Sequence, residues 1–451
     1  MPVFRRKIYD RLLQWKRESG GQTAFLLKGA RRVGKSTIVE EFARREYASY
    51  IMIDFSIAHA DIKELFSRIG NLNAFFIGLQ TLTGVKLHQR RSVIVFDEVQ
   101  LFPPARQAVK HLVNDGRYDY IETGSLLSIK KNVKGILIPS EETRVSMYPM
   151  DYEEFLWALG KEGTFEGIRV AFEGRHSFGD AINRSLMRDF RLYMLVGGMP
   201  QAVSTFLEAN DFSAVDRVKR AILELYADDL RKVDPLGRLS RLFLSIPAEL
   251  SRKFSTRYQV SSVMGRGSSA GRMSGLLMDL ADSMTVNFAY HANDPSVGFA
   301  MHTDPSRFKL FLADTGLFVT MAFMDREFTE NDLYRRLLSD KLSADLGYLY
   351  ENVVAQLLKA AGHELFYHTF KDRSDNENSA ERTYEVDFLI ARGKKIVPVE
   401  VKSSTANQHK SLDKFARKYS ARVSTSCVLY TKDLRRKGNV DFIPVYMAGL
   451  L

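Results

Sequence analysis

One stretch constrains the fold of this chain more than any other, the loop that begins at Gly29. It reads Gly-Ala-Arg-Arg-Val-Gly-Lys-Ser and fits the phosphate-binding pattern G-x-x-x-x-G-K-[ST] without a mismatch. The apolar run 24–27 before it predicts a short buried strand, and the apolar spacing within 37–45 predicts a helix after it. Strand, loop and helix is the order that a P-loop requires. The stretch therefore predicts a nucleotide-binding fold rather than a chance glycine-rich turn.

The residue types of this loop indicate how it would hold a nucleotide. Backbone N–H groups would surround the phosphates, and the glycines would allow the backbone to approach closely. Lys35 is expected to reach the β- and γ-phosphates of ATP, and the Ser36 hydroxyl to bind Mg²⁺. The two arginines are interpreted as surface or phosphate-proximal cations rather than catalytic groups. The predicted nucleotide-binding residues here are Gly29, Ala30, Arg31, Arg32, Val33, Gly34, Lys35, Ser36 and Thr37.

A second motif ends another predicted strand, in the stretch 92–100. Its apolar run stops at the adjacent carboxylates Asp97 and Glu98. An acidic residue at the carboxyl end of a buried strand suits the partner that holds the Mg²⁺ of the loop serine, and we assign this role to Asp97. Glu98 would lie over the γ-phosphate and polarise the attacking water. The alternative is a solvated acidic turn after a strand.

Two further strands are predicted in this region. The apolar run 50–55 shows little alternation, which suits a parallel strand covered on both faces. The run 120–125 ends in small polar residues. Thr123 or Ser125 could sense the γ-phosphate by a hydrogen bond, or both could simply cap the next helix. The predicted fold is a P-loop NTPase with a parallel α/β sheet.

Composition limits the class of protein and its partners. The 451 residues are 45% hydrophobic and 26% charged, as in ordinary soluble globular proteins, and no apolar run is long enough to span a bilayer. The single cysteine, Cys427, excludes an internal disulfide and a cysteine-based metal cluster. The amphipathic residues 1–17 contain no apolar signal core, so we expect a cytoplasmic protein. The net charge of +11 fits a nucleic-acid partner, or a merely basic soluble protein.

The length suggests two to four domains. We expect an ATPase domain over 1–160, a helical and winged-helix-like region over 161–335, and a nuclease-like α/β domain over 336–451. The glycine-rich, charged and weakly patterned stretch 161–180 is typical of a linker between the first two.

The middle region predicts three helices followed by two strands. The helices are expected over 246–254, 258–264 and 270–283, and the strands over 285–290 and 298–302. Helices followed by a two-stranded wing would form a winged-helix-like module. Its third helix would contact DNA, with Arg266 and Arg272 near the N-terminal end. The alternative is a helical packing domain that touches no DNA.

The last segment contains a second group of chemically active residue types. A predicted helix carries Glu351, and two predicted strands carry Asp387 and the Glu400-Val401-Lys402 triplet. This order is similar to the layout of the PD-(D/E)XK nucleases, a restriction-endonuclease-like fold. Side chains two apart on a strand share a face, so Glu400 and Lys402 would project together.

The nuclease reading assigns a role to each of these residues. Asp387 and Glu400 would hold Mg²⁺ through oxygen ligands, Lys402 would orient or deprotonate water, and Glu351 would add a carboxylate at the rim. The alternative interpretation is that the segment keeps the nuclease fold but has a non-catalytic site. A basic cluster in the same segment suits a phosphate backbone or a solvated helix face. It consists of Lys394, Lys395, His409, Lys410, Lys414, Arg417, Lys418 and Arg422.

The motifs of the first segment resemble those of a prokaryotic AAA-type ATPase family with a large C-terminal region. The resemblance rests on G-A-R-R-V-G-K-S, V-F-D-E-V-Q and T-G-S. That family shows a Gly-Arg pair shortly before a P-L-S-F-x-E-F-L-like segment. This chain has Thr143-Arg144 before P-M-D-Y-E-E-F-L, so the arginine is kept and the glycine is not. The resemblance implies that Arg144 is a γ-phosphate-sensing arginine.

Two segments further along the chain are also similar to signatures of this family. Residues 193–200 end in Gly-Gly-Met-Pro, which we interpret as a structural helix stop. Residues 309–317 contain Asp314 before Thr-Gly, which we expect to fix a turn.

These observations predict Mg²⁺-dependent ATP hydrolysis. In one version, the nucleotide cycle controls a C-terminal nuclease-like, DNA-binding module. In the alternative, the chain is an ATP-controlled regulatory switch or scaffold whose nuclease-like fold is catalytically inactive. A homo-oligomer is compatible with both versions, because AAA-type proteins often complete their site with a neighbour's arginine. We expect no membrane partner.

Overall fold

The computed structural model describes residues 3–125, 140–252, 256–265, 267–324, 335, 337–339, 347–372, 381–403 and 409–451. Within these ranges, no helix is both long and apolar enough to cross a membrane. The chain forms two compact units. The first comprises Met1–Tyr148 and Asp282–Met284, and the second comprises Pro149–Ala281 and Thr285–Leu451. The predicted segments 161–335 and 336–451 thus lie almost entirely within the second unit, and their division into separate domains stays a prediction.

The elements before Pro149 alternate between strands and helices, as an α/β sheet with crossover connections requires. They are α1 (Lys7–Ser19), β1 (Ala24–Gly29), α2 (Lys35–Glu46), β2 (Ser49–Asp54), α3 (Ala60–Leu65), α4 (Leu72–Thr83), β3 (Ser92–Asp97), α5 (Pro103–Asp115), β4 (Asp119–Gly124) and β5 (Glu142–Met147). Two short 3₁₀ helices, Phe66–Arg68 and Val99–Leu101, lie between them.

The five strands form one parallel sheet in the order β2-β3-β4-β1-β5. β3 and β4 are buried along their whole length, as expected for central parallel strands without alternation. The predicted strands of this region are therefore confirmed, with bounds that differ by one to three residues. The order places β4 between the strand that leads to Gly29 and the strand that ends in Asp97.

The elements after Tyr148 begin with a long helical series. The helices are α6 (Tyr152–Ala158), α7 (Glu162–Gly174), α8 (Asp180–Val196), α9 (Pro200–Ala209), α10 (Phe212–Val233), α11 (Arg238–Leu244), α12 (Ile246–Leu250), α13 (Val260–Met264), α14 (Ser274–Asp282), α15 (Thr315–Ala322), α16 (Gly347–Ala360) and α17 (Lys410–Lys418). Two 3₁₀ helices, Phe299–His302 and Val445–Leu450, accompany them.

In the described part of the second unit, nine strands form two sheets. They are β6 (Val286–Ala292), β7 (Thr303–Leu312), β8 (Leu365–Asp372), β9 (Arg382–Val386), β10 (Phe388–Arg392), β11 (Lys395–Val401), β12 (Ser426–Tyr430), β13 (Arg435–Lys437) and β14 (Val440–Pro444). One sheet has the order β7-β6-β8-β9 and the other β10-β11-β12-β14-β13. One apolar cluster contains residues of both sheets, such as Ala292, Phe370 and Ile396. The strands of the middle and last segments therefore share a core.

The predicted linker 161–180 is wrong over most of its length, because α7 occupies Glu162–Gly174. Phe165, Ile168 and Ala171 are buried at a spacing of three residues. This apolar stripe stabilises the helix by packing, and its burial outweighs the low helix propensity of the glycines. Glycine content alone therefore does not predict the structure of this segment.

The winged-helix prediction is not confirmed. The predicted strand 298–302 is wrong, since Phe299–His302 is a 3₁₀ helix and the strand that pairs with β6 begins at Thr303. β6 also pairs on its other side with β8, in parallel, so it is an interior strand and the pair is not a two-stranded wing. Arg272 is exposed before α14. Arg266 lies outside the described residues.

The two family signatures of the second unit pack against each other. Asp314 caps α15 by accepting a hydrogen bond from the backbone N of Leu317, and it also accepts one from the backbone N of Gly198. A Cβ on Gly316 would lie 2.5 Å from the Cα of Gly197. The signatures are therefore parts of one tightly packed contact, which supports the structural interpretation of both.

Candidate active site and the C-terminal carboxylate cluster

The loop after β1 has the backbone that phosphate binding requires. Gly34 adopts a φ of 96°, in the left-handed region that favours glycine. A Cβ on Gly29 would lie 2.6 Å from the backbone oxygen of Met147 on β5, so a side chain cannot be placed there without moving the sheet. α2 then begins at Lys35. Strand, loop and helix occur in the predicted order.

Lys35 is buried inside this loop. Its Nζ donates to the backbone oxygens of Gly29 at 3.1 Å and Ala30 at 3.0 Å. Burial lowers the pKa of the ammonium group, while the carboxylates of Glu98 and Asp97 oppose that shift. A lysine held at this point is positioned to meet anionic phosphate oxygens, which would also compensate its charge.

The hydroxyl groups of two segments converge on Asp97. Ser36 Oγ donates to Asp97 Oδ1 at 2.9 Å, and the Thr123 hydroxyl donates to the same oxygen. Thr123 Oγ1 in turn accepts from the backbone N of Glu98 at 3.3 Å. Thr123 is the penultimate residue of β4, the strand between β1 and β3, so the sheet order brings these groups together. A serine hydroxyl beside a carboxylate offers the oxygen ligands that suit Mg²⁺.

Glu98 has a strained backbone, with a φ of 52° directly after β3. Its carboxylate accepts a hydrogen bond from the side-chain amide of Gln100, which is buried. Non-glycine residues in the left-handed region are uncommon and concentrate at functional sites. Sequence reasoning missed Gln100, because an amide two residues beyond an acidic pair has no distinctive pattern.

The remaining residues predicted to bind the nucleotide make none of the contacts described above. Arg31, Arg32 and Thr37 are exposed, and Ser125 is partly buried. The structure does not bring Arg144 to the loop. Arg144 pairs with Leu26 in the sheet register, three residues or ~10 Å of strand before Gly29, and its Nε donates to Glu142 at 2.9 Å.

The four predicted residues of the last segment do come together. Asp387, between β9 and β10, accepts a hydrogen bond at Oδ2 from the backbone N of Val401 at 2.8 Å. Lys402 Nζ lies 2.5 Å from Glu400 Oε1. Glu351, on α16, interacts electrostatically with both Asp387 and Lys402. The predicted arrangement of side chains is therefore present.

Sequence reasoning missed two members of this cluster. Lys309, on β7, is buried, and its Nζ lies 2.5 Å from Glu385 Oε1 and 3.5 Å from Glu351 Oε2. The neighbouring carboxylates raise the pKa of Lys309 although its burial opposes this. The two-residue period of strands could have identified Glu385, since it lies two residues before Asp387. Lys309 is distant in sequence and carried no such signal.

Burial dominates the electrostatics of the carboxylates. It raises the pKa of Glu351 to about 7, with Lys309 opposing the shift, and it raises the pKa of Glu385 and Glu400. One oxygen of Glu385 and one of Glu400 are buried without a hydrogen-bond partner. The Glu400 oxygen therefore fits a cation. However, Lys309 and Lys402 already supply two positive charges to this cluster.

No group of three or more histidine, cysteine or acidic side chains is placed to hold a metal ion within the described ranges. The P-loop does not need such a group, because the nucleotide itself supplies oxygen ligands to Mg²⁺. A nuclease site built from Asp387 and Glu400 alone would depend more heavily on those two carboxylates.

Family models match three separate parts of the chain. Residues 21–156 match a model described as an AAA domain. Residues 187–327 and 346–447 match models described as a Domain of unknown function (DUF8612) and a Domain of unknown function (DUF4143). The first match contains the loop, Asp97, Glu98 and Thr123. Together with their geometry, it supports an AAA-type ATP-binding ATPase domain in this part of the chain.

Solved structures give weaker likenesses. Caenorhabditis elegans PCH-2 is 14% identical, with 37% of this chain and 47% of that chain covered and a TM-score of 0.21. A signal transduction ATPase with numerous domains from Pyrococcus horikoshii, which has a tetratricopeptide repeat sensor, is 14% identical. The match covers 80% of this chain and 46% of that chain, with a TM-score of 0.28. Cdc6p from Pyrobaculum aerophilum is 12% identical, with 74% of this chain and 93% of that chain covered and a TM-score of 0.22.

The chain spans about half the length of the first two of these structures. TM-scores of this size carry no argument about the fold. A search of curated proteins finds no match.

Proposed function

We propose that this protein is a Mg²⁺-dependent ATPase and that its nucleotide cycle controls the C-terminal module. The observation that carries the proposal is the direct hydrogen bond between Ser36 and Asp97, two residues 61 positions apart. It supports a shared Mg²⁺ site at the end of β3, next to the phosphate-binding loop. Lys35 would bind the β- and γ-phosphates from inside that loop.

Glu98 is the proposed activator of the attacking water. It directly follows Asp97, its backbone N is held by Thr123, and its carboxylate is held by Gln100. Such a fixed carboxylate can polarise a water molecule only if that water lies in line with the γ-phosphate. The hydrogen bond from Gln100 competes for the same carboxylate, so hydrolysis requires this bond to loosen or to leave one oxygen accessible.

Substitution of Glu98 and Lys35 tests this assignment. We expect Glu98→Gln to bind ATP and to hydrolyse it about a hundredfold more slowly or worse, because it loses the general base. Lys35→Ala is expected to lose ATP binding, because the loop loses its phosphate-binding cation. Binding is measured by calorimetry and turnover by phosphate release.

Glu40→Gln is the matched control, since Glu40 is an exposed carboxylate on α2. It should bind and hydrolyse ATP like the wild type. Equal turnover by Glu98→Gln and the wild type would remove Glu98 as the activating residue.

For the C-terminal module, we propose a non-cleaving role over nuclease activity. The observation that favours this role is Lys309, whose ammonium group lies between Glu351 and Glu385 within the carboxylate cluster. A lysine at this position supplies the positive charge that a divalent cation would otherwise supply. The cluster would then stabilise the module, which would transmit the nucleotide state to a partner.

A cleavage assay separates this role from nuclease activity. The full-length wild type, Asp387→Ala and Lys402→Ala are incubated with single- and double-stranded DNA and RNA, with Mg²⁺ or Mn²⁺ and with ATP. We expect no cleavage by the wild type above the level of Asp387→Ala. Wild-type cleavage that both substitutions abolish would refute the non-cleaving role and establish the nuclease version.

A further inference from the structure

A basic cavity of about 650 Å³ lies in the second unit, away in sequence from the phosphate-binding loop. One wall is α8, which contributes Arg184, Arg188 and Arg191. Thr431 and Lys432, which directly follow β12, line the cavity as well. Arg335 also lines the cavity. No residue of 29–36 is among these lining residues, so the cavity is distinct from the predicted ATP site.

The three arginines of α8 occupy one face of the helix. Positions separated by four and three residues lie above one another in an α-helix, so Arg184, Arg188 and Arg191 form a row along the cavity. The residues Leu186 and Phe190 are buried on the other side of α8 and fix its orientation. The row is therefore held by the core of the unit.

The charge of the cavity is unbalanced. Among the described lining residues there are five basic side chains, and Asp180 is the single carboxylate. Like charges in one cavity repel each other, and an anionic ligand would relieve this repulsion. Arginine presents a planar set of donors that matches phosphate oxygens, and several arginines together favour a ligand with more than one phosphate group.

The frame of the cavity is fixed by hydrogen bonds before any ligand binds. Asp433 accepts from the Ser177 hydroxyl and from the backbone N atoms of Phe178 and Gly179, which ties the start of α8 to the segment after β12. Asn183 Nδ2 donates to the backbone oxygen of Thr431 at 3.2 Å. A pre-formed site loses less entropy when a ligand binds than a site that must first be assembled.

We propose that this cavity binds a small ligand that carries at least two phosphate groups, as a nucleoside polyphosphate does. Its volume lies within the range of small-molecule sites, and the lining combines basic groups with the apolar side chains of Met187 and Leu338. A nucleic-acid strand would instead favour an open groove that continues along the surface. The site would let a second phosphorylated ligand act on the protein independently of the P-loop.

Binding to the full-length Lys35→Ala variant tests the proposal, because this variant removes the predicted binding at the P-loop. The probe is inorganic tripolyphosphate, titrated by calorimetry at about 50 mM salt, where charge screening is moderate. ATP and a single-stranded oligothymidylate of about 12 nucleotides are titrated in parallel. We expect saturable binding of tripolyphosphate and ATP with one site per chain.

A second substitution in the same background locates the site. Arg188→Gln should weaken tripolyphosphate binding about tenfold or more, the loss expected for one charge-assisted phosphate contact. Arg217→Gln is the matched control, since Arg217 is an exposed arginine on α10 and does not line the cavity. It should leave the affinity unchanged. Circular dichroism establishes that both variants are folded.

Three outcomes would overturn the proposal. They are an absence of tripolyphosphate and ATP binding by the Lys35→Ala variant, an equal loss of affinity in Arg188→Gln and Arg217→Gln, and binding of the oligothymidylate alone. The second outcome would indicate non-specific charge attraction, and the third would indicate a nucleic-acid surface.

Discussion

Lys219 is a fully buried lysine on α10, so its ammonium group is not solvated by water. Its Nζ donates to the backbone oxygens of Leu195 at 2.7 Å and Gly316 at 3.2 Å. It thus links the segments 193–200 and 309–317. Burial lowers the pKa of Lys219 to about 8, and Asp216 and Asp314 oppose this shift. Stability should therefore depend on pH through this residue.

The direction of that dependence follows from proton binding. An unfolded chain keeps Lys219 protonated up to its ordinary pKa near 10.4, whereas the folded protein releases the proton from about pH 8. Between these values the unfolded state binds more protons, so the free energy of unfolding rises with pH. We expect the wild type to gain about 2 kcal/mol relative to Lys219→Met between about pH 7.5 and pH 9.5.

Urea unfolding at the two pH values measures this difference. Lys232→Met is the control, because Lys232 is an exposed lysine on the same helix, and it should follow the wild type at both pH values. If the wild type and Lys219→Met change in parallel, Lys219 does not titrate in this range.

At the residue scale, the two sites differ in how much the sequence could predict. Lys35 and Ser36 are neighbours in one motif, and the roles predicted for them rest on local pattern alone. Lys309 contacts Glu385 across 76 positions, and Gln100 contacts Glu98 through a loop geometry that no motif describes. Such contacts depend on chain folding, so they were missed. The role that the family resemblance implies for Arg144 stays a prediction, and the sheet register that pairs Arg144 with Leu26 adds no support to it.

At the scale of elements, the junction between α8 and α9 depends on a close backbone contact. A Cβ on Gly198 would lie 2.1 Å from the backbone oxygen of Met150, and the backbone N of Met150 donates to the Gly198 oxygen at 2.8 Å. Backbone atoms cannot rotate away as a flexible side chain can. The start of α6 and the end of α8 are therefore packed too closely for any side chain at position 198.

We expect Gly198→Ala to destabilise the second unit by about 2–4 kcal/mol, because it forces the two backbone segments apart. Thermal and urea unfolding measure the change. Gly167→Ala on α7 is the matched control, since its Cβ would meet open space. It should be neutral or stabilise by about 0.5–1 kcal/mol through helix propensity. A Gly198→Ala protein as stable as the wild type would refute the close contact.

The element α7 also shows why the linker prediction failed. Four glycines and several charges within 161–180 suggested an irregular segment, but Phe165 and Ile168 lie on one helical face and are buried. Tertiary burial of such a face contributes more to a helix than intrinsic propensity does. The stripe was visible in the sequence, although its partners were not.

For the whole molecule, the net charge of +11 raises the question of a nucleic-acid partner. Part of the basic cluster around α17 is compensated within the fold. Lys414 Nζ lies 3.3 Å from Asp372, Lys418 donates to the backbone oxygen of Lys371, and Arg422 pairs with Asp294. The two carboxylates reduce the positive charge that the cluster can offer to a phosphate backbone, and the hydrogen bond of Lys418 restrains its side chain.

We therefore expect weak duplex DNA binding with a shallow salt dependence. Between about 50 and 200 mM salt, the affinity should fall by less than about a hundredfold, below the loss expected for six to ten phosphate contacts. Fluorescence anisotropy with a labelled duplex measures this dependence. A fall in affinity of about a thousandfold or more would contradict this expectation and would indicate that the basic cluster binds the phosphate backbone.

The sequence by itself predicted nucleotide binding in the first unit, because a phosphate-binding loop is a contiguous motif between a strand and a helix. It also predicted the grouping of Glu351, Asp387, Glu400 and Lys402. Only the tertiary structure placed Lys309 among those carboxylates and lined a separate cavity with the arginines of α8. It also made the first predicted wing strand an interior strand of a larger sheet. The physical reason is that charge compensation and strand pairing join residues distant in sequence, whereas a loop motif uses only its neighbours.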